Sequence, residues 1–217
     1  MIFASIDQQE EFVSRDKKPS AAALPHIVSA LKTLGRRSAS PIRVRRAEVG
    51  EASDLAQVQL RGWASVHRSL FPNRPIPSLS YPSRVACWTK RLREATPADV
   101  ALVVLDSTGI ITGFAYAQAT GADAEIRCLY CVDDPDLRAA KMLFRRVALA
   151  LIESGAKRLK VGTFAQCDLA RICEFFGGTI EDRVLVKREG RSLTKSLYRW
   201  TDLRRDARVF GWMNPEN

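Results

Sequence analysis

Apolar residues form their clearest pattern between residues 141 and 155. They recur at helical spacing in two adjacent rows, and the basic residues of the segment fall outside both rows. The rows are Leu143, Val147 and Leu151, and Phe144, Ala148 and Ile152. This pattern predicts an amphipathic helix that ends near Ser154-Gly155. A second helix with a buried face is predicted from Leu169 to Phe176, ended by Gly177-Gly178.

Shorter patterns predict the other elements. Ile42 and Val44 alternate with arginines in a first strand, and Gly50 with the acidic residues after it begins a helix that runs to about His67. A further helix follows Pro82. More strands are predicted at 100–105, 110–119, 125–132 and 158–163, and two final strands surround the turn at 189–192. Helices and strands that alternate in this order predict a mixed α/β fold.

Residues 1–40 differ from the rest of the chain in their pattern of polar and apolar residues. Apolar residues between Leu24 and Leu34 recur at helical spacing and predict a short amphipathic helix, and residues 35–41 (GRRSASP) are typical of a linker. We therefore expect an N-terminal extension over 1–40, one domain over 41–203 and a C-terminal tail over 204–217. The helix of the extension either docks on its own domain, which is favoured, or binds a partner or a membrane surface.

Composition narrows the class of protein. The 217 residues are 46% hydrophobic and 27% charged, which is typical of a globular chain. No apolar stretch is long enough to span a membrane, and acidic residues soon after Met1 argue against a secretory signal. The net charge of +10 is dispersed, so a solvated basic surface is favoured over a nucleic-acid partner. Five cysteines, an odd number, indicate reduced thiols and a cytoplasmic protein.

The order strand, two helices, three strands, helix, strand, helix, two strands resembles the GNAT family of N-acetyltransferases. Residues 42–58 (IRVRRAEVGEASDLAQV), 61–72 (RGWASVHRSLFP) and 84–94 (RVACWTKRLRE) are similar to the first strand and first two helices of small acetyltransferases. Residues 109–119, followed by 125–132 (EIRCLYCV), are similar to their central sheet. The resemblance covers about residues 42–201 and implies a mostly antiparallel sheet flanked by helices, acetyl-CoA as co-substrate and an amine acceptor.

In this family the pyrophosphate of acetyl-CoA lies on a glycine-rich loop at the start of a helix, where free N–H groups and the helix dipole bind phosphate. The corresponding stretch, 133–141 (DDPDLRAAK), has no glycine and three aspartates. Asp134-Pro135 is typical of a helix start that caps its own amides. Basic residues could pair with the phosphates directly, and small residues permit a close approach. The residues expected to contact the coenzyme here are Arg138, Ala139, Ala140 and Lys141.

The resemblance also implies the catalytic groups. An amine with a pKa near 10 must lose a proton before it attacks a thioester. Glu125, at the start of the fourth strand, corresponds to a glutamate that the family frequently uses as this base; the alternative is a solvated charge at a strand end. The N–H donor for the tetrahedral intermediate is expected from the backbone of the same strand, at Tyr130, Cys131 and Val132.

The family's general acid is a tyrosine on the last helix, within the pattern Asn, two residues, Ala, two residues, Phe-Tyr. Laid on residues 167–178, the pattern keeps Ala170 and Gly178. Cys167 stands at the coenzyme-binding asparagine and Glu174 at the tyrosine. Glu174 can donate a proton only if burial keeps it protonated. Tyr116, Tyr130 and solvent are the alternative proton sources.

Two residues are candidates for the acceptor site. Trp63 lies on the first helix, and His67 is expected in the loop after it, which borders the acceptor in the family. Cys128 and Cys131 have C-x-x-C spacing, but positions three apart on a strand face opposite sides, so no metal is expected. The sequence predicts an N-acetyltransferase; the alternative is a GNAT-fold binding or regulatory protein that has lost catalysis. The acceptor stays open, as does the choice between monomer and homodimer.

Overall fold

A computed structural model of the protein describes residues 42–77, 79–209 and 211–212. The helices are α1 (Ala52–Leu70), α2 (Tyr81–Arg93), α3 (Arg138–Glu153), α4 (Asp168–Phe175) and α5 (Leu203–Val209), with a short 3₁₀ helix at Val49–Glu51. The strands are β1 (Arg43–Arg46), β2 (Asp99–Leu105), β3 (Ile111–Thr120), β4 (Asp123–Cys131), β5 (Arg158–Phe164), β6 (Thr179–Arg188) and β7 (Arg191–Trp200). The predicted extension, residues 1–40 with its helix, lies outside the described residues.

The strands form one sheet in the order β1-β2-β3-β4-β5-β7-β6. All neighbouring strands are antiparallel except β4 and β5, which are parallel. The predicted mixed α/β fold with a mostly antiparallel sheet is therefore confirmed. The parallel pair is short: only Asp123–Glu125 pair with Arg158–Lys160. Beyond Glu125 the two strands separate, and the sheet opens at its centre.

Helices cover both faces of the sheet because the strands alternate their buried side chains. Ile126 and Leu129 of β4 pack in the core beneath α3, whereas Cys128 and Tyr130 pack in the core beneath α1 and α2. The alternation breaks once, because Tyr116 of β3 pairs with Cys128 while Ala117 pairs with Ile126. The extra residue on β4 is Arg127, and such a bulge bends the strand where it leaves β5.

Three element boundaries differ from the sequence prediction. α1 continues to Leu70, so His67 lies in its last turn and not in a loop. α3 begins at Arg138, which leaves Pro135 before the helix. The expected tail contains α5 and then Trp212, which is 1% exposed and packs against Phe176 and Trp200. The domain therefore extends to residue 212, because its core beneath α3 is completed by this segment.

Within the described part of the chain, no helix combines the length and apolarity needed to cross a membrane.

Candidate active site

The opening between β4 and β5 exposes backbone groups of β4. The Val132 N–H donates to the carbonyl of Thr112 on the neighbouring strand β3 at 2.8 Å. Since backbone groups alternate along an antiparallel ladder, the N–H of Tyr130 also faces β3, and those of Leu129 and Cys131 face away from it, toward β5. Of the three residues expected to supply the oxyanion donor, Cys131 is thus the one whose amide faces the opening.

The start of α3 satisfies its own amides. Leu137, in a left-handed conformation (φ 56°), occupies the cap position, and the chain before it turns back so that Asp134 reaches the first turn. The Asp134 carboxylate accepts hydrogen bonds from the N–H groups of Ala139 (3.1 Å) and Ala140 (2.9 Å). Asp134 therefore satisfies first-turn amides of the helix, as its sequence suggests, but Leu137 and not Asp134 occupies the N-cap position. The Ala139 and Ala140 amides, which were expected to approach a pyrophosphate, already have an anionic partner.

Three cationic side chains surround this helix start. Arg138 is exposed in the first turn of α3. The Lys141 ammonium lies 4.3 Å from the centre of the Phe175 ring, which links α3 to the end of α4. Arg61 of α1 pairs with Asp133 at 3.0 Å, and both side chains are well exposed. Sequence reasoning missed Arg61, because the 72 positions between it and Asp133 carry no local signal of the contact.

Glu125 lies at the closed end of the opening. Its neighbours Ala124 and Ile126 pack beneath α3, so its side chain points to the opposite face, toward α2. The carboxylate is 40% exposed and lies 3.3 Å from the guanidinium of Arg127, the bulge residue. A half-exposed carboxylate at this edge can exchange protons with water that enters the opening.

A polar cluster around the buried side chains of Asp99 and Tyr116, which sequence reasoning missed, adjoins Glu125. Gln118, the partner of Glu125 in the β3–β4 register, donates to Asp99 at 3.1 Å. Tyr116 donates to the same carboxylate at 2.5 Å, and the guanidinium of Arg91 lies 4.8 Å from the centre of the Tyr116 ring. A groove of about 350 Å³ lies beside these groups. Its lining includes Cys87, Lys90, Arg91, Glu94, Asp99, Tyr116 and Gln118.

The hydrogen bonds of Asp99 predict an acid-sensitive fold. Burial alone would raise the pKa of Asp99, but hydrogen bonds from Tyr116, Thr96 and Gln118 outweigh it and hold the pKa below its ordinary value. A lowered pKa in the folded state stabilises the protein above the unfolded-state pKa, about 3.9, and this stability is lost as the pH falls through the folded-state value. We expect Asp99→Asn to cost about 2 kcal/mol at pH 7.

Urea unfolding at pH 7 and pH 3.5 tests this contribution. The free-energy difference between Asp99→Asn and the wild type should shrink at the lower pH, because Asp99 of the unfolded wild-type chain, with a pKa of about 3.9, then binds a proton that the folded state does not. Asp136→Asn is the control, because Asp136 is exposed before α3 and should leave the free energy of unfolding unchanged at both pH values. An Asp99→Asn deficit independent of pH would contradict the role given to the charge.

Trp63 and His67 lie together on α1. Their rings are 5.2 Å apart, and both residues are at least nine-tenths buried. His67 Nε2 lies 3.2 Å from the carboxylate of Glu189 in the β6–β7 turn, while Nδ1 has no hydrogen-bond partner among the described residues. Nearer β4, Gly62 allows α1 to approach Tyr130, since a Cβ there would lie 2.8 Å from the Tyr130 ring. Trp63 and His67 therefore form part of the wall between α1 and the β6–β7 hairpin.

A second groove, of about 370 Å³, lies along α1 on the same face. It runs past Arg61, Ser65 and Arg68 to Val132 at the end of β4. The face that carries α1 and α2 thus has an open path to the C-terminal end of β4, separate from the start of α3.

Helix α4 carries Glu174, the residue expected as the general acid. Glu174 is exposed and accepts a hydrogen bond from the Tyr198 hydroxyl at 2.9 Å, so the burial on which its acid role depended is absent. Tyr198 belongs to β7, on the far side of β5 from β4. Cys167 occupies the cap position of α4 but makes no side-chain cap hydrogen bond.

The cysteines near the opening are buried thiols. Burial raises the pKa of Cys128 and of Cys167 to about 12, and it raises the pKa of Cys131 as well. These thiols stay protonated at neutral pH and are poor nucleophiles. Cys128 and Cys131 lie in the cores on opposite faces of the sheet, as their spacing on a strand predicts.

Solved structures share this architecture. An N-acetyltransferase from Staphylococcus aureus Mu50 superposes with a TM-score of 0.60 at 14% identity, over 76% of this chain and 99% of that one. A protein from Salmonella typhimurium assigned as an acetyltransferase, solved with acetyl-CoA, gives 0.56 at 16% identity, over 74% of this chain and 93% of that one. The chain has the GNAT fold. Spermidine N-acetyltransferase from Vibrio cholerae, in complex with CoA and spermine, gives 0.58 at 14% identity, over 74% and 95%. No family model and no curated protein matches the sequence.

The candidate site has some features of the GNAT pattern and lacks others. The opening beside β4 and the cleft-facing amide at Cys131 are present, and Glu125 stands at the closed end. The start of α3 and the end of α4 depart from the family pattern, because Asp134 and Tyr198 engage the groups that the pattern would use.

Proposed function

We propose that the chain is an acetyl-CoA-dependent N-acetyltransferase that acetylates a primary amine. The observation that carries the proposal is the opening of the sheet: β4 and β5 pair at three positions and then separate, and the Cys131 N–H faces the space between them. The acetyl-CoA in the Salmonella protein supports this donor, and the spermine in the Vibrio enzyme supports an amine acceptor. A cytoplasmic location fits the five free cysteines.

The proposed reaction is direct transfer. Glu125, acting through water, takes a proton from the amine, whose nitrogen then attacks the thioester carbonyl. A chain of waters is required because Glu125 and Cys131 are six positions apart along β4, roughly 20 Å for an extended strand. The Cys131 N–H donates to the oxyanion of the tetrahedral intermediate. The carbon–sulfur bond then breaks, and the thiolate takes its proton from solvent, which its ordinary pKa of about 8.5 allows. No step requires a metal ion.

The coenzyme's phosphates would bind mainly through side chains. With the Ala139 and Ala140 amides bonded to Asp134, the available charges are Arg138 in the first turn and Lys141 one turn later. Cys167 would border the pantetheine at the start of α4. Arginine pairs with phosphate through two parallel N–H bonds, so Arg138 should contribute more than Lys141, which is also held by Phe175.

Calorimetric titration with acetyl-CoA tests the donor site. We expect micromolar affinity for the wild type and a loss of about 10- to 100-fold in Arg138→Glu, which corresponds to one charge-assisted phosphate contact. Arg146→Glu is the matched control: it makes the same charge change on an exposed residue of the same helix, about 12 Å further along. Equal affinities for Arg138→Glu and Arg146→Glu would contradict binding at the start of α3.

A second candidate function is supported by the same helix. A carboxylate that already occupies the amides of Ala139 and Ala140, and a Glu174 engaged by Tyr198, are what a GNAT-fold binding or regulatory protein without catalysis would carry. Absence of binding at millimolar acetyl-CoA, together with a folded protein, would favour this candidate over the transferase. Trp63 and His67, which we propose as part of the acceptor wall, would then border a binding surface instead.

A further inference from the structure

β6 forms one end of the sheet, and no strand among the described residues pairs with its outer edge. Every residue from Thr179 to Leu185 is exposed, so this part of the strand is uncovered on both faces. Val184 is 51% exposed and Leu185, on the opposite face, is 65% exposed. A long edge with apolar side chains on both faces is a template for pairing with another strand.

The turn at the end of the hairpin fixes which backbone groups face outward. Glu189 and Gly190 both have positive φ (46° and 78°) and form a two-residue turn closed by the pair Arg188 and Arg191. The closing pair exchanges hydrogen bonds, and the ladder then alternates. Arg188, Val186 and Val184 therefore bond to β7. The residues whose N–H and C=O groups point to the free edge are Arg183, Leu185 and Lys187, and of these the Arg183 N–H already donates to the Asp182 carboxylate at 2.7 Å.

The charges of β6 are complementary to those of a second, antiparallel β6. Its sequence, TIEDRVLVKR, carries Glu181 and Asp182 toward one end and Lys187 and Arg188 at the other. Two copies related by a twofold axis would place the acidic end of each strand beside the basic end of the other. We propose that the protein is a homodimer in which the β6 strands of two copies pair antiparallel, joining the two sheets into one.

The charges also select the register. Outward-facing residues must meet each other in an antiparallel ladder, so the axis has to pass through one of the strand's residues. An axis at Arg183 sets that arginine opposite itself, and an axis at Leu185 sets Arg183 opposite Lys187; like charges directly opposite are destabilising. An axis at Val184 sets Arg183 opposite Leu185 and Asp182 opposite Val186, with no like pair. Glu181 lies outside this regular ladder, at the bulge between Ile180 and Asp182, and pairs with Arg199 of its own chain.

Moving the axis further toward the turn, to Val186, would shorten the ladder to residues 184–188 and leave the acidic end of β6 outside it. Val184 is therefore the centre of the proposed interface. The interface would also steady the β6–β7 hairpin, whose turn holds the end of α1 through Glu189 on His67 and through Arg191, which donates to the Leu70 carbonyl.

Light scattering of the full chain across a concentration series gives the first test. We expect the wild type to have twice the monomer mass. Leu185→Pro should be monomeric, because proline removes an outward N–H, while the inward-facing ladder to β7 keeps its donors. Leu185→Ala is the matched control; it keeps the backbone donor and should still form dimers. A single cooperative thermal transition in Leu185→Pro shows that the monomer is folded, and its midpoint, unlike that of Leu185→Ala, should not depend on concentration.

Disulfide cross-linking tests the register. In the proposed dimer the two Val184 residues face each other as a non-hydrogen-bonded pair, about 4.5 Å between Cα atoms, which is within reach of a disulfide. The two Leu185 residues are diagonal neighbours, about 7–8 Å apart, and beyond that reach. With Cys87, the native cysteine that is not buried, changed to serine, Val184→Cys should cross-link under mild oxidation and Leu185→Cys should not.

Several results would overturn the proposal. One is a monomer at all concentrations; hydrogen exchange that protects the amides of Leu185 and Lys187 in such a monomer would identify another segment of the same chain as the occupant of the edge. Another is a dimer that Leu185→Pro leaves intact. A third is cross-linking through Leu185→Cys in place of Val184→Cys. All of these readouts are independent of acetyl-CoA binding.

Discussion

Replacing Trp212 with alanine is expected to lower the free energy of unfolding by about 3–5 kcal/mol, the usual cost of deleting a large buried aromatic side chain. Trp212 is 1% exposed, and its ring centre lies 5.4 Å from that of Phe176 and 6.1 Å from that of Phe144. Its backbone N–H also donates to the Ala207 carbonyl at 2.8 Å, which anchors it to α5. Alanine would leave a cavity between α3 and the end of the chain.

Urea denaturation at pH 7, followed by circular dichroism, measures this loss. Val209→Ala is the control, because Val209 belongs to the same segment but is 70% exposed, and it should change the free energy by less than about 0.5 kcal/mol. Trp212→Phe should fall between the two, since it keeps most of the ring volume. A Trp212→Ala loss below 1 kcal/mol would contradict the inclusion of this segment in the core.

The burial of Trp212 in the core could not be predicted from the sequence, for a physical reason. Two apolar rows that recur over three turns predict α3 from its own sequence. The structure has the helix at that place, with Leu143, Phe144 and Val147 fully buried. α5 has seven residues, most of them polar, so it carries no periodic signal of its own. Its burial depends on aromatic residues far away in the sequence.

The candidate site divides in the same way. The strand that lines the opening, β4, was predicted from local sequence, because its apolar residues are typical of a buried strand and it follows the β2–β3 hairpin in the order of elements. The groups that modify the site were not, because each contact joins distant segments: Arg61 with Asp133, Tyr116 with Asp99, and Tyr198 with Glu174. The Asp134 cap is the exception, because its partners are local and the sequence suggests it.

Glu125→Gln is expected to lower kcat for amine acetylation by about 10²–10⁴-fold, the contribution of a positioned general base. Glutamine keeps the shape of the side chain but cannot accept the proton of the amine. The KM for acetyl-CoA should stay the same, since Glu125 lies at the closed end of the opening, away from the start of α3. The limb of the pH–rate profile that reports a base in wild-type enzyme should disappear in the variant.

Steady-state kinetics across pH, with acetyl-CoA saturating and spermine as the first amine tried, gives the measurement, and Glu153→Gln provides the control. Glu153 is exposed at the end of α3, so the same chemical change there should leave kcat within about twofold, as a surface substitution away from the site would.

Two contrary outcomes are informative in different ways. An unchanged rate and pH profile in Glu125→Gln would remove Glu125 from the mechanism while leaving the transferase intact. A lower rate with an unchanged pH profile would mean that Glu125 holds Arg127 and the bulge of β4 in place, 3.3 Å from its guanidinium, and that another group or water alone accepts the proton.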